Sequence, residues 1–239
     1  MAVTMPTVAR PGPSWVVPVV PALDNGDQVA AAEFLRRYEA MPQVKKAELI
    51  EGVVYMGSPV RLIHAEPDTL MQTWLGYYSA HTLGVVAATN ATVRLDAKNV
   101  PQPDALLRLL PEYGGRTRVD AGGDLEGPPE LVVEIAGTSA SIDLRDKLKV
   151  YCRSGVREYL VWRTSDGHFD WFVLENQQYH PRPPAPDGFI ESRIFPGLRL
   201  DVAALLAADA ARVLRGLEAG LQSPAHTTFL AEIQNAARR

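Results

Sequence analysis

The apolar residues of this chain occur in short, nearly continuous runs and in longer stretches with helical spacing. Leu131–Ile135 and Tyr159–Trp162 are continuous runs of this kind, which is the pattern of strands covered on both faces of a sheet. Between them, the apolar residues of Ser141–Ser154 form one helical stripe, and Gly155 follows as a stop signal. A strand, a helix and a strand at this spacing predict a βαβ unit with a right-handed crossover.

The remaining pattern predicts further elements around this unit. One helix is predicted at 27–41, and a second carries an apolar stripe around Trp74, with Pro67 in its first turn. Together these elements predict an α/β fold in which helices flank a central mixed β-sheet. Shorter β-rich segments are predicted at 47–56, 85–88, 91–95, 104–110, 168–174 and 189–194.

Composition divides the chain into three regions. Residues 1–26 are rich in proline, which suits an extended arm rather than a helix. Residues 27–200 hold the predicted sheet, and a chain of 239 residues with 46% hydrophobic content can build one substantial core. Residues 201–239 form an Ala-rich tail with helical spacing, which we expect to be loosely ordered or part of a subunit contact from Pro224 onward.

Charge and cysteine content narrow the classes of function. The net charge of −4 predicts no broad electrostatic attraction to nucleic acid, which counts against a nuclease unless basic residues form a local patch. Cys152 is the only cysteine, which excludes an internal disulfide and a cysteine-based zinc site. No apolar run reaches the roughly 20 residues that span a bilayer, and no signal-peptide pattern is found, so we expect a soluble cytoplasmic protein without membrane contact.

Three carboxylates lie inside or beside apolar segments, where charged groups need a partner or a bound metal. Glu48 lies in one such segment, Asp104 opens another directly after a proline, and Glu134 interrupts the run Leu131–Ile135. If the strands carrying Asp104 and Glu134 are neighbours, both side chains can point at one site. Since Mg²⁺ prefers one or two carboxylates with waters and phosphate oxygens, we predict a metal site of Asp104, Glu134 and the carbonyl oxygen of Ile135.

A lysine follows these acids on the predicted helix. Lys147 lies at the border of the apolar stripe, so its ammonium could position an attacking water or offset the charge of a phosphate transition state. A structural explanation is also open, because Glu134 and Lys147 can form a simple ion pair, Asp104 a turn and Glu48 an exposed strand edge. His64, near the start of the second predicted helix, could bind phosphate or help orient Glu48, or it could be a cap or a surface residue.

The same residues resemble those of the Uma2 family of restriction-endonuclease-like proteins over about residues 27–200. The resemblance implies a PD-(D/E)xK nuclease core, with a mixed sheet flanked by helices and cleavage of DNA that depends on Mg²⁺ or Mn²⁺. It further implies that Asp104 and Glu134 are metal ligands, Glu48 an additional acid near the metal and Lys147 the catalytic lysine. The segments that carry it are Glu48-Leu49-Ile50-Glu51-Gly52, His64, Pro103-Asp104, Leu131-Val132-Val133-Glu134-Ile135, Asp143 to Tyr151, and Ser154 to Tyr159.

The chain departs from the general nuclease signature at Ala136, where many such enzymes have their lysine. The resemblance instead implies a lysine moved to the helix, for which Lys147 is the match and Lys149 the alternative. Three functions stay open: a Mg²⁺-dependent endonuclease acting on DNA, a catalytically inactive nuclease-fold module with a binding or assembly role, and a metallohydrolase of small phosphoesters. By analogy with restriction enzymes that cut both strands, a homodimer is expected.

Overall fold

A six-stranded mixed sheet forms the centre of the computed structural model, which describes residues 20–137 and 143–238. Residues 1–19, the greater part of the predicted Pro-rich arm, lie outside the described residues. The strands of the described ranges are β1 (Ala47–Ile50), β2 (Val53–Met56), β3 (Val85–Thr89), β4 (Val93–Arg94), β5 (Ala105–Leu109), β6 (Arg118–Val119), β7 (Leu125–Glu126), β8 (Leu131–Ala136), β9 (Glu158–Arg163), β10 (His168–Glu175), β11 (Gln178–Pro181), β12 (Phe189–Glu191) and β13 (Arg199–Asp201).

Helices occur on both sides of the sheet and after it in the chain. Within the described ranges, none of them combines the length and the apolar character that crossing a lipid bilayer requires. The α-helices are α1 (Ala31–Glu39), α2 (Leu62–Ala80), α3 (Leu148–Ser154), α4 (Val202–Leu206), α5 (Ala210–Leu221) and α6 (Pro224–Ala236).

The central sheet has the strand order β11, β10, β9, β8, β5, β3. Strands β8 and β9 pair in parallel, whereas the other neighbours pair antiparallel. The predicted mixed sheet is therefore confirmed. The predicted strand at 91–95 does not belong to the central sheet. It corresponds to β4, which pairs with β7 in a separate sheet of three short strands.

The parallel pairing of β8 and β9 is the pairing that the predicted βαβ unit requires. Residues 138–142, which include the start of its predicted helix, lie outside the described residues. From Asp143 to Lys147 the chain forms a π-helical turn, which continues directly into α3. The helix ends at Gly155, whose left-handed φ of 83° suits glycine at this position.

The two faces of the central sheet are covered differently. On one face, Leu131, Val133 and Ile135 of β8 pack in a large core with Trp74 of α2. On the other face, Val132 and Ala136 pack with residues of α3. Glu134 shares the second face, because side chains alternate along a strand. The predicted orientation of Glu134, opposite to Leu131, Val133 and Ile135, is confirmed.

The hairpin of β1 and β2 forms as predicted around Glu51 and Gly52. Both turn residues adopt positive φ values, 52° and 80°, as a tight two-residue hairpin requires. Leu49 of β1 exchanges backbone hydrogen bonds with Val100, at N–O distances of 3.1 and 2.8 Å. This contact places the hairpin beside the segment that leads into Asp104.

Helix α2 carries the predicted apolar stripe, and Trp74 is fully buried. The prediction that Pro67 lies in the first turn is wrong, because the helix begins at Leu62 and the proline lies in the second turn. A proline there has no N–H to donate to the carbonyl oxygen of Ile63. Since Ile63 is exposed, water can serve that carbonyl oxygen. The earlier start brings His64 onto the helix one turn before Asp68.

The chain after residue 201 packs on the same core as the sheet. Phe229 and Ile233 of α6 are buried in the core that also contains Trp74. Helix α6 begins at a regular cap, in which the Ser223 side chain accepts a hydrogen bond from the backbone N–H of His226 and Pro224 occupies the first turn. From Pro224 to Ala236 the chain is therefore a packed helix rather than a loosely ordered segment, and the alternative of a subunit contact stays a prediction.

Candidate active site

Charged side chains from four segments meet on the α3 side of the central sheet. Lys147 lies at their centre, with Nζ 2.9 Å from Glu48 Oε2, 3.0 Å from Glu134 Oε1 and 3.4 Å from Asp143 Oδ1. We call the whole group the acid–lysine cluster, and its members are Lys46, Glu48, Asp104, Glu134, Asp143 and Lys147. It brings together the four side chains that the sequence predicts as catalytic, since Asp104 lies beside Glu134 as described below.

Glu48 is fixed by contacts on both carboxylate oxygens. Its Oε2 pairs with Lys147, and its Oε1 accepts a hydrogen bond of 2.8 Å from the backbone N–H of Gln102. The Gln102 side chain in turn donates to Thr92 Oγ1 at 2.8 Å. Glu48 is therefore a buried member of the cluster, and the predicted alternative of an exposed strand edge does not apply.

Asp104 lies directly before β5, at the point where its pairing with β8 ends. Ala105 pairs with Val133, so the same register would place Asp104 opposite Glu134. Asp104 Oδ2 accepts a hydrogen bond of 2.8 Å from the backbone N–H of Ile135, and Oδ1 lies 2.8 Å from Lys46 Nζ. The sheet itself thus holds this carboxylate beside Glu134.

Glu134 occupies the middle of the buried strand β8. Its Oε1 receives a hydrogen bond of 3.0 Å from the Tyr151 hydroxyl, in addition to the contact with Lys147. Tyr151 is fully buried, as the sequence predicts, and its hydroxyl also orients the acid. The hydrogen bond from Tyr151 to Glu134 could not be predicted from the apolar stripe of the helix alone.

The surroundings shift the pKa values of the two strand acids in opposite directions. Burial would raise the pKa of Asp104, but the Lys46 ammonium and the hydrogen bond from Ile135 lower it overall. Burial raises the pKa of Glu134 well above its usual range, and nearby Asp104, Asp143 and Glu48 add to the effect against the opposing attraction of Lys147. Paired carboxylates with separated pKa values are typical of catalytic acid and base assignments.

Lys147 remains an ammonium group in this environment. Burial would lower its pKa, but the three carboxylates around it raise the pKa well above the usual value. Lys149, the alternative catalytic lysine, is exposed and points away from the buried side chains of the helix. The position of Lys147 therefore favours it over Lys149.

Two further residues at the site, Lys46 and Asp68, are not among those predicted from the sequence. Lys46 has a readable signal, since it precedes Glu48 by two residues and so shares its strand face. Asp68 lies one helical turn after His64 on α2, and its Oδ2 accepts a hydrogen bond of 2.7 Å from Gln72. Burial, followed by the repulsion of Asp104, raises the pKa of Asp68. Its buried Oδ1 has no hydrogen-bond partner among the described residues.

The cluster opens to solvent on the side of Lys46 and His64. Both side chains are 28% exposed, whereas the side chains of Glu134 and Lys147 are 3% and 5% exposed. His64 Nε2 lies 3.8 Å from Asp104 Oδ2. His64 thus lies beside Asp104, and its predicted role in binding phosphate stays a prediction.

The donor atoms of the cluster suit a hard divalent cation. Four carboxylates face two ammonium groups, which leaves a formal charge of −2 when all are ionised. Across the described ranges, no set of three or more His, Cys, Asp and Glu side chains is arranged to hold a metal ion. Mg²⁺ is commonly bound by only one or two carboxylates with waters and phosphate oxygens, so a pair such as Asp104 and Glu134 is enough.

A surface groove of about 550 Å³ between β11 and β12 lies apart from the cluster. Two of its charged residues, Arg193 and Glu175, pair with each other, and Asp187 pairs with the neighbouring Arg199 at 2.6 Å. Exposed pairs of this kind contribute little and need no functional explanation. The acid–lysine cluster is therefore the better candidate for chemistry.

A mixed sheet flanked by helices, with acids and a lysine meeting beside its central strands, defines a restriction-endonuclease-like fold. The chain belongs to the Uma2 family, because the family model described as "Putative restriction endonuclease" matches residues 31–203. A solved structure, described as a putative nuclease belonging to DUF820 from Anabaena variabilis ATCC 29413, is similar with a TM-score of 0.57 and 11% sequence identity. That match covers 73% of this chain and 97% of the other. A search of curated proteins gave no match.

Proposed function

We propose that this protein is an endonuclease that hydrolyses DNA phosphodiester bonds by metal-activated water attack, with Mg²⁺ or Mn²⁺ as its cofactor. The observation that supports this most is the convergence of Glu48 and Glu134 on Lys147 within 3.0 Å, beside an Asp104 that is fixed to the backbone of Ile135. Membership of a family of restriction-endonuclease-like proteins agrees with this chemistry.

Asp104 and Glu134 would hold the metal ion, with the carbonyl oxygen of Ile135 as a further ligand. Bound there, the ion would polarise the scissile phosphate and lower the pKa of a water molecule. The carboxylates of the cluster outnumber its ammonium groups, which supports binding of a divalent cation. The backbone hydrogen bond from Ile135 holds Asp104 in one orientation before the metal arrives.

The protein side chains have separate roles in this proposal. Glu48, held by the backbone of Gln102, would accept a proton from a water molecule near the metal ligands. Lys147 would keep the acids together, and its positive charge would offset negative charge on the phosphate without a direct contact. Tyr151 holds Glu134 in the orientation that faces Lys147.

The test is cleavage of supercoiled plasmid by the purified protein in Mg²⁺ or Mn²⁺. Asp104→Asn and Lys147→Gln should abolish nicking and linearisation, whereas the exposed Lys149→Gln should cleave like the wild type. Absence of cleavage by the wild type in both metals would contradict the proposal. A chromogenic phosphodiester distinguishes a DNA endonuclease from a general phosphodiesterase. A general phosphodiesterase would hydrolyse this small substrate and show no preference for DNA.

An inactive nuclease-fold module is the second candidate. Two observations favour it: both lysines are already paired with acids, and Ala136 occupies the position where many related enzymes have a lysine. Calorimetry discriminates the two, because the nuclease should bind Mg²⁺ or Mn²⁺ in a manner that depends on Asp104. The predicted homodimer is tested by light scattering of the same preparation, with and without duplex DNA.

A further inference from the structure

The two lysines of the acid–lysine cluster differ in what surrounds them. The Lys147 ammonium is 5% exposed and has carboxylate oxygens at 2.9, 3.0 and 3.4 Å. Carboxylate oxygens therefore surround the Lys147 ammonium, which exposes little surface to solvent. A substrate that approaches from solvent has little access to Lys147.

Lys46 has one such contact among the described residues and lies at the opening. Its Nζ is 2.8 Å from Asp104 Oδ1, and its side chain is 28% exposed. One donor faces Asp104, and the remaining donors can reach a ligand that approaches from solvent. We propose that Lys46 is the substrate-facing lysine, which binds a phosphate of the DNA beside the scissile bond, while Lys147 organises the acids.

The inference rests on the proposed nuclease function and assigns its phosphate-binding group. The four carboxylates give the cluster an excess of negative charge, which repels a phosphate anion. An exposed cation at the opening offsets that repulsion during approach. Lys46 can do so, whereas the buried Lys147 cannot.

Lys46 lies at the open end of the β1–β2 hairpin, where Gly57 packs against it. Gly57, opposite Lys46 by continuation of the β1–β2 register, donates a backbone hydrogen bond of 2.9 Å to the Lys46 carbonyl oxygen. A Cβ atom at Gly57 would lie 2.9 Å from the Lys46 Cβ, which is too close for an ordinary contact. The glycine therefore lets the hairpin pack closely on Lys46.

His64 lies at the same opening and completes a polar rim. Its Nε2 is 3.8 Å from Asp104 Oδ2, so Lys46 and His64 approach the two oxygens of one carboxylate. A phosphate between them would meet two nitrogen groups and the edge of the proposed metal site. This arrangement fits one backbone phosphate of a nucleic acid and carries no base specificity.

The experiment compares Lys46→Met with Lys45→Met, which removes the same charge from an exposed neighbour. Binding of a fluorescent 12-base-pair duplex is measured in Ca²⁺ over a salt series, and KM and kcat are measured in Mg²⁺. Lys46→Met should raise Kd and KM by about tenfold and reduce the slope of log Kd against log salt by about 1. Lys45→Met should stay within about twofold of the wild type, and Lys46→Arg should restore most binding.

A second variant, Gly57→Ala, keeps the proposal testable if Lys46→Met does not fold. Gly57→Ala keeps every charge but displaces Lys46, so KM should rise while the thermal unfolding midpoint stays near the wild-type value. Equal Kd, KM and salt slope for Lys46→Met and Lys45→Met would overturn the inference. So would a loss of kcat at unchanged KM and Kd, because Lys46 would then act only by positioning Asp104.

Failure of the proposed function gives a different result. If the wild type binds the duplex but does not cleave it, the nuclease proposal fails while the binding comparison still decides the role of Lys46. If the wild type neither binds nor cleaves, both proposals are overturned.

Discussion

Two buried glutamates on neighbouring strands show how differently this fold treats a carboxylate. Glu158 of β9 is fully buried, and its oxygens accept hydrogen bonds of 2.6 Å from the Ser192 hydroxyl and 2.7 Å from the backbone N–H of Arg193. Glu134 of β8 instead shares an ammonium group with Glu48 and Asp143. The two acids lie on opposite faces of the sheet and toward opposite ends of the strand pair.

The difference separates a structural acid from a candidate catalytic one. The partners of Glu158 tie the Ser192 loop to the sheet and leave no excess charge that a ligand must balance. The partners of Glu134 hold several acids together, retain negative charge and lie beside an opening. Burial of a carboxylate alone therefore does not identify the candidate site. The sharing of one ammonium group by several carboxylates identifies it.

The largest expected effect follows from removing the shared cation. Lys147→Met leaves three carboxylates without their common partner, so the free energy of unfolding should fall by about 3 to 5 kcal/mol, as for other broken buried ion pairs. Urea denaturation measures it. Lys149→Met, two residues away and exposed, serves as the control and should change stability by less than about 0.5 kcal/mol. A similarly small loss for Lys147→Met would show that the cluster does not depend on that ammonium.

The second prediction concerns the structural acid. Burial, opposed by the hydrogen bonds from Ser192 and Arg193, raises the pKa of Glu158 from 4.5 to about 7. The folded protein thus binds this proton more tightly than the unfolded chain. The free energy of unfolding should fall by about 3 kcal/mol as pH rises from about 4.5 to about 7, and then level off.

The variant Glu158→Gln isolates this contribution. Since glutamine does not ionise, the pH dependence of unfolding should be flatter by about that amount between pH 4.5 and 7, while plasmid cleavage should persist. Urea denaturation at several pH values in this range gives the comparison. An unchanged pH profile would mean that Glu158 is not the buried acid described here.

A smaller effect is expected when the metal binds. Mg²⁺ at about ten times its Kd should stabilise the wild type by about 1.4 kcal/mol, which corresponds to roughly 3 °C in Tm for a domain of this size. Asp104→Asn should lose this shift because one metal ligand is neutral. The shift should persist in Glu158→Gln, and an equal shift in Asp104→Asn would place the metal elsewhere.

Much of the site could be predicted because its acids interrupt apolar strands. Glu134 and Asp104 are visible as charges in or beside such runs, and alternation along a strand gives the face of Glu134. The proximity of Lys147 to these acids could be predicted from its position at the border of the apolar stripe on the predicted helix. The parallel pairing of β8 and β9 follows from a strand, helix and strand at this spacing.

Other features depend on contacts that sequence spacing does not encode. Lys46 joins the cluster because Leu49 pairs with Val100, and this long-range contact brings the hairpin beside Asp104. Asp68 lies near Asp104 because α2 packs against the sheet at β5. The packing of α6 on the sheet is likewise a tertiary event, although the cap at Ser223 and Pro224 signals the helix itself.

The central claim is that the acid–lysine cluster performs chemistry rather than holding the fold together. The most direct measurement is plasmid cleavage and urea denaturation of the same Glu134→Gln protein. Because burial disfavours the charged form of Glu134, the neutral isostere should keep the free energy of unfolding within about 1 kcal/mol of the wild type or raise it. Cleavage should fall by about 100-fold or more. Cleavage at the wild-type rate, or a loss explained entirely by unfolding, would contradict the account.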